Sequence, residues 1–242
     1  MKIRADYHMH SRYSGDCKNE IEDVIKRACE LGLKEIAITD HGPAHDGYGI
    51  KRQDYWKIKA EIDLLKPKYP QIQILLGLES NILGTEGEID LDDEMREICD
   101  WVNAGYHFGS RLKKDFGFHL VNFMSRFSKH FYQKAVEQNT SAVVNAMKRN
   151  EIHMITHPGA KGPIDIHRVA QAAAETGTML EINNSHGHLT VDEIKVAKTY
   201  GVKFVVCSDA HKIEKIGIVP ESIKRAVEAG LTVENIYNAE SE

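Results

Sequence analysis

Residues 3–10, Ile3-Arg4-Ala5-Asp6-Tyr7-His8-Met9-His10, hold the reading on which the fold turns. A short β-prone run ends in two histidines spaced i and i+2, and on an extended chain such residues point the same way, so one strand delivers two imidazoles to one place. Working outward, the same arrangement recurs. Glu35–Thr39 runs into Thr39-Asp40-His41-Gly42, Ile72–Leu78 into Gly77-Leu78-Glu79, and Trp101–Ala104 into Gly105-Tyr106-His107. Ile152–Thr156 runs into Thr156-His157-Pro158-Gly159, and Lys203–Cys207 into Ser208-Asp209-Ala210-His211. With Ile3–Tyr7 and Thr178–Ile182, seven strands are predicted.

Helical patterns alternate with these strands. Asn19, with Glu22 three residues later, predicts a capped helix whose face is Ile21, Val24, Ile25, Ala28 and Leu31 and which stops at Gly32. Further helices are expected at Asp54–Leu65, Thr140–Lys148, Asp165–Glu175, Val191–Thr199 and Glu221–Ala229. Repeated strand–helix units imply parallel strands with helices outside; periodicity leaves a closed barrel and a doubly wound sheet both open. The stretch Gly105–Gln138 is too long for a simple connection and rich in aromatics. The four-residue spacing of Phe123, Phe127 and Phe131 favours a packed helix face over a substrate-facing lid.

Composition narrows the function. The 242 residues carry 31 Lys+Arg against 36 Asp+Glu, a net charge of −5 that argues against a general polyanion binder. At 42% hydrophobic and 28% charged, with no linker or low-complexity run, the chain reads as one globular domain spanning 1–242. No window approaches about 18 consecutive apolar residues, and Met1–Asp6 lacks a signal peptide's apolar core, so a cytoplasmic protein is expected. Cys17, Cys29, Cys99 and Cys207 form no CxxC pair and read as reduced, mostly packed thiols. Six of the 13 histidines (His8, His10, His41, His107, His157 and His211) follow strand ends. In a parallel barrel those ends converge on one mouth. Nitrogen and oxygen donors without cysteine suit zinc, manganese or iron better than calcium or magnesium.

The ordered series HxH at His8/His10, TDH at His41, GLE at Glu79, GYH at His107, THPG at His157 and SDAH at Asp209/His211 resembles the polymerase and histidinol phosphatase (PHP) family along essentially the whole chain. The resemblance implies a distorted seven-stranded β/α barrel and phosphoester hydrolysis at a site of three divalent transition-metal ions, with Glu79, Asp209 and His211 closest to the chemistry. One ion would be held by His8, His10, Glu79 and Asp209, a second by Glu79, His107 and His157, and a third by Asp16, His41 and His211. Asp16 stands where some relatives have histidine and others aspartate. Three such ions against the carboxylates of Asp16, Glu79 and Asp209 leave a pocket of about +3, which suits an anionic substrate.

Arg12, just past HxH, and Lys161, just past THPG, are candidate phosphate contacts, and Asn184 and His186 follow the one strand that supplies no ligand. His45, Tyr48 and Lys51 are candidates for shaping the pocket. His153 reads as core, and His119, His130 and His167 as surface. The expected partner is a small phosphorylated metabolite, with neither membrane nor nucleic acid, and the oligomeric state is open. A phosphodiesterase or nuclease and a noncatalytic metal-binding module are the alternatives; the net charge speaks against the first, the intact ligand set against the second.

Overall fold

The computed structural model describes residues 1–241. The strands are β1 (Lys2–Ile3), β2 (Ala5–Asp6), β3 (Glu35–Ile38), β4 (Gln73–Leu83), β5 (Glu88–Ile89), β6 (Trp101–Gly105), β7 (Met154–Ile155), β8 (Met179–Asn183), β9 (Phe204–Cys207) and β10 (Ala239–Glu240). Seven of them, β2-β3-β4-β6-β7-β8-β9, pair in parallel in that order, in registers such as Ile36 with Ile74 and Glu79 with Asn103. They are the seven expected from the sequence.

The edges β2 and β9 meet through side chains and one bridge. Asn238 donates from Nδ2 to the carbonyls of Ala5 and Val206, both at 2.7 Å, and accepts from the Val206 amide at 3.0 Å. Above it, Met9 and Ala210 form a parallel bridge. The result is a nearly closed barrel.

Around it lie α1 (Ile21–Glu30), α2 (Asp54–Leu65), α3 (Asp93–Arg96), α4 (Phe116–Met124), α5 (Lys129–Arg149), α6 (Ile166–Thr176), α7 (Val191–Thr199) and α8 (Pro220–Glu228). The larger apolar core fills the layer between helices and strands, where Ile21, Val24, Ile25 and Ala28 pack as their spacing predicted. Leu31 is instead exposed at the end of α1. Asn19 does not cap that helix: Glu20 is the N-cap, and the Asn19 amide donates to the His10 carbonyl at 3.3 Å. A second cluster plugs the barrel from within. Its Tyr7 and Trp101 rings stack 4.0 Å apart, with Ala37, Met154 and Val205 alongside. An apolar floor beneath a polar mouth is thereby built from alternating residues of the same strands.

Two expectations for the long excursion fail. Helix α5 begins at Lys129 rather than near Thr140, because its first half has too few apolar residues to leave a periodic signal. Phe123, Phe127 and Phe131 do not share a packed face, since a turn separates α4 from α5 and leaves Phe123 and Phe127 48% and 72% exposed.

Candidate metal centre

The middle of β4 carries Glu79 to the centre of the mouth, where it is fully buried. Its Oε1 lies 3.0 Å from His157 Nε2, 3.1 Å from His107 Nε2 and 3.2 Å from His8 Nε2; its Oε2 lies 2.8 Å from His41 Nδ1. Asp209 Oδ1 stands 3.5 Å from Nε2 of both His8 and His10 and 3.6 Å from His211 Nδ1. Asp16, more exposed, closes the outer side with Oδ2 3.4 Å from His41 Nε2 and 3.3 Å from His211 Nε2. Met9 packs outward into the core while His8 and His10 face inward, the alternation on which the HxH reading rested.

Charge follows from this crowding. Burial would raise the Glu79 carboxyl, but the imidazoles of His107, His8 and His41 hold it well below the carboxylate range. Asp209 is held low against burial by His8 and His10. Burial pushes His10 down to about 3 and His107 down to about 4. His41 goes the other way, to about 9, because Glu79 and Asp16 outweigh its burial.

The donor set fits divalent metal. His8 Nε2, both ring nitrogens of His10, His41 Nδ1 and Glu79 Oε2 are buried and, although several lie close to one another, make no well-aligned hydrogen bond among the described residues. Such orphaned atoms are costly unless something occupies the space between them. Three triads have ligand atoms within 4.8 Å of one another: His10, His41 and His211; His8, His10 and Asp209; and His41, Glu79 and His107. Carboxylates that would otherwise hold protons on His8 and His41 can serve a cation in their place.

The PHP domain family model matches residues 6–188, three quarters of the sequence. The chain belongs to the PHP domain family. A probable phosphatase of Thermoanaerobacter sp. (strain X514) is 32% identical, the match covering 99% of this chain and 92% of that protein. A probable phosphatase of Caldanaerobacter subterraneus subsp. tengcongensis is 33% identical, over 98% and 89%. The histidinol phosphate phosphatase of Lactococcus lactis, solved with zinc, L-histidinol and phosphate, superposes with a TM-score of 0.64 at 18% identity, covering 96% of this chain and 95% of that one. At that identity the likeness concerns the fold.

Around the cluster, this PHP barrel supports its imidazoles with residues the sequence reading passed over. Glu181, buried on β8, accepts from His8 Nδ1 at 2.7 Å and from the His157 amide at 2.5 Å. Its signal was an acid at an inward position of an otherwise apolar strand. Asn81 Oδ1 accepts from His107 Nδ1 at 3.0 Å, and Asp90 holds Asn81 in turn through Nδ2 at 2.6 Å and the backbone amide at 2.7 Å. Such partners fix the tautomer and ring plane of a ligating histidine. His157 and Asp209 also sit at positive φ, 29° and 53°, a strained backbone that costs of order 1–3 kcal/mol per residue and persists only where its surroundings hold it. At Gly105 a Cβ would meet Thr156 Oγ1 at 2.3 Å, so only glycine lets β6 approach the His157 strand end this closely.

The remaining candidates divide. His186 joins the centre, its Nε2 3.5 Å from Asp209 Oδ2, and burial takes it down to about 4. Arg12 turns away, paired with Glu20 at 3.0 Å and Glu61 at 2.9 Å. Asn184 Oδ1 accepts from the amides of Glu221 and Ser222, at 3.0 and 3.3 Å, and so caps α8. Lys161 lines a separate cleft beside the His157 loop. His45 bonds the Phe108 carbonyl through Nε2 at 3.1 Å and stacks on Tyr48, which lies over His41; Lys51 is exposed. Two histidine readings are reversed. His119 is buried, bonded to the Tyr106 hydroxyl at 2.9 Å and the Ser110 carbonyl at 2.7 Å, while His153 is exposed and stacks on Trp101. His130 and His167 are exposed.

Proposed function

We propose that the chain is a metal-dependent phosphatase that hydrolyses a small phosphomonoester at a trinuclear site, held by His8, His10, Asp16, His41, Glu79, His107, His157, Asp209 and His211. The observation that carries the reading is Glu79, whose two oxygens reach two different sets of imidazoles and so suit a bridging carboxylate. Bound divalent ions would bring a water toward neutral pKa and offset charge on the phosphate oxygens. The protein's part is to fix geometry: Glu181 orients His8 and the His157 backbone, and Asn81 orients His107.

A cleft of about 410 Å³, lined by Asn184, His186, Asp209, His211, Lys212 and Lys215, opens onto the centre. Its two lysines favour approach of an anion. His186, neutral at pH 7, offers a ring N–H to a phosphate oxygen. Neither membrane nor nucleic acid enters the proposal; no helix among the described residues is long and apolar enough to cross a bilayer.

The test is phosphate release from a panel of phosphomonoesters, using protein stripped with chelator and reloaded separately with zinc, manganese or iron. Metal-restored release is expected. Protein shown to hold its ions yet releasing no phosphate from any monoester would overturn the reading and turn attention to phosphodiesters.

A further inference from the structure

We propose that a second cleft, between the Gly159–Ile164 loop and the turn joining α4 to α5, binds an additional anionic group of the substrate through Arg126 and Lys161. The substrates are then phosphomonoesters whose leaving group is itself negatively charged. This inference rests on the phosphatase reading and narrows it.

The cleft has a volume of about 340 Å³, enough for part of a metabolite, and Asn122, Ser125, Tyr132 and His188 share its wall with the two cations. Arg126 stands apart from its kind. Of the ten arginines in the sequence it alone has a guanidinium with no hydrogen-bond or ion-pair partner among the described residues. Its five N–H donors are free in a concave polar wall. The Lys161 ammonium is likewise without an ion pair among the described residues. The one carboxylate on the wall, Glu193, is committed to the Thr190 amide and hydroxyl, both at 2.8 Å, and to His188.

The two cations are held in fixed relation. A Cβ on Gly162 would collide with the side chains of Asn122 and Asn139 at 2.5 Å, so glycine lets the loop carrying Lys161 press against the helices flanking Arg126. Asn122 and Asn139 bond to each other at 2.7 and 3.0 Å, and Asn139 donates to the Pro163 carbonyl at 3.0 Å. The loop is clamped to α4 and α5.

The cleft also adjoins the metal centre. His186 lines the cleft over Asp209 and His211, and His188, two residues on, lines this one. Lys161 is near enough for its charge to bear on His186. A substrate straddling the 186–188 segment would set its scissile phosphate over Asp209 and its second anion between Arg126 and Lys161. The same cations would repel an ammonium-bearing leaving group such as histidinol.

The test compares kcat/KM of the metal-loaded full chain for 3-phosphoglycerate, for glycerol 3-phosphate, which lacks the carboxylate, and for histidinol phosphate. The expected order is 3-phosphoglycerate first, by about tenfold or more over glycerol 3-phosphate, with histidinol phosphate last. R126Q and K161Q should each cut the 3-phosphoglycerate to glycerol 3-phosphate ratio about tenfold, mainly through KM, and R126K should restore part of it. Equal use of the first two esters by the wild-type protein, a preference for histidinol phosphate, or a ratio unmoved by R126Q and K161Q would overturn the proposal. Inactivity toward every ester by ion-loaded protein would instead overturn the phosphatase reading, and this inference with it.

Discussion

The strand ends and the Gly105–Gln138 excursion lie side by side at one mouth but are built in opposite ways. At the strand ends polar groups are buried and apolar residues support them: Glu79, His8 and His10 are fully enclosed, with the Tyr7–Trp101 stack beneath. In the excursion the apolar groups face solvent: Phe116, Leu120 and Phe123 recur on α4, Phe127 follows, and all are exposed. The difference teaches where rigidity is placed. A centre that must hold several donors within ångströms of one another sits on parallel strands and strained, over-determined turns, whereas the helical excursion beside it has little packed against its outer side.

The largest effect that would break this contrast lies at Glu79. Replacing it with Gln should lower kcat by about 10²–10³-fold on any accepted phosphomonoester. Turnover near normal, with full metal content by elemental analysis, would remove Glu79 from its bridging role. Next comes removal of metal: chelated protein should lose activity and melt earlier in a thermal scan, since an ion at 1,000 times its Kd contributes about 4 kcal/mol. An unchanged melting temperature would mean that the buried donors need no cation. Glu181→Gln should follow, with metal affinity or activity down about 10–100-fold, because His8 loses its carboxylate partner and the His157 turn its anchor. Titration of zinc with a competing chelator reads this directly.

Smaller effects sharpen the comparison. Asp90→Ala strips the partners from the Ala44 and Asn81 amides and the Ser80 hydroxyl, at 2.8, 2.7 and 2.6 Å, and should cost about 1–3 kcal/mol in urea unfolding. Phe127→Ser, by contrast, should change stability by no more than about 0.5 kcal/mol. A loss of several kcal/mol there would show the excursion to be packed after all.

Much of the centre was legible because its residues follow short β-prone runs, so that the strand pattern and the chemistry report the same places. His8, His10, His41, Glu79, His107, His157, Asp209 and His211 come together for that reason. Glu181 was missed because it lies inside the β-prone run read from the sequence, whereas Glu79 directly follows its own run, although β4 in fact continues through it. Asn184 and Arg12, candidate substrate contacts by position, are engaged elsewhere because their partners, in α8 and on Glu20 and Glu61, are set by tertiary packing. Asn19 fits a cap by spacing, yet the helix starts one residue later with Glu20 as its N-cap, and the Asn19 side chain donates from Nδ2 to the His10 carbonyl. His119 looked superficial because Tyr106 and Ser110, its partners, lie across a loop whose path no periodicity describes.

The Asn238 side chain that closes the barrel has a consequence for biosynthesis. It ties Ala5 to Val206 across 233 and 32 residues of sequence, so β2 waits unpaired on one edge until Asn238 has been made. His8 and His10 from early in this sequence and Asp209 from late in it are then among the last partners to meet. The centre is thereby completed by the same late event that seals the barrel, and a nascent chain with its seam still open presents its early histidines without the carboxylate that completes their site.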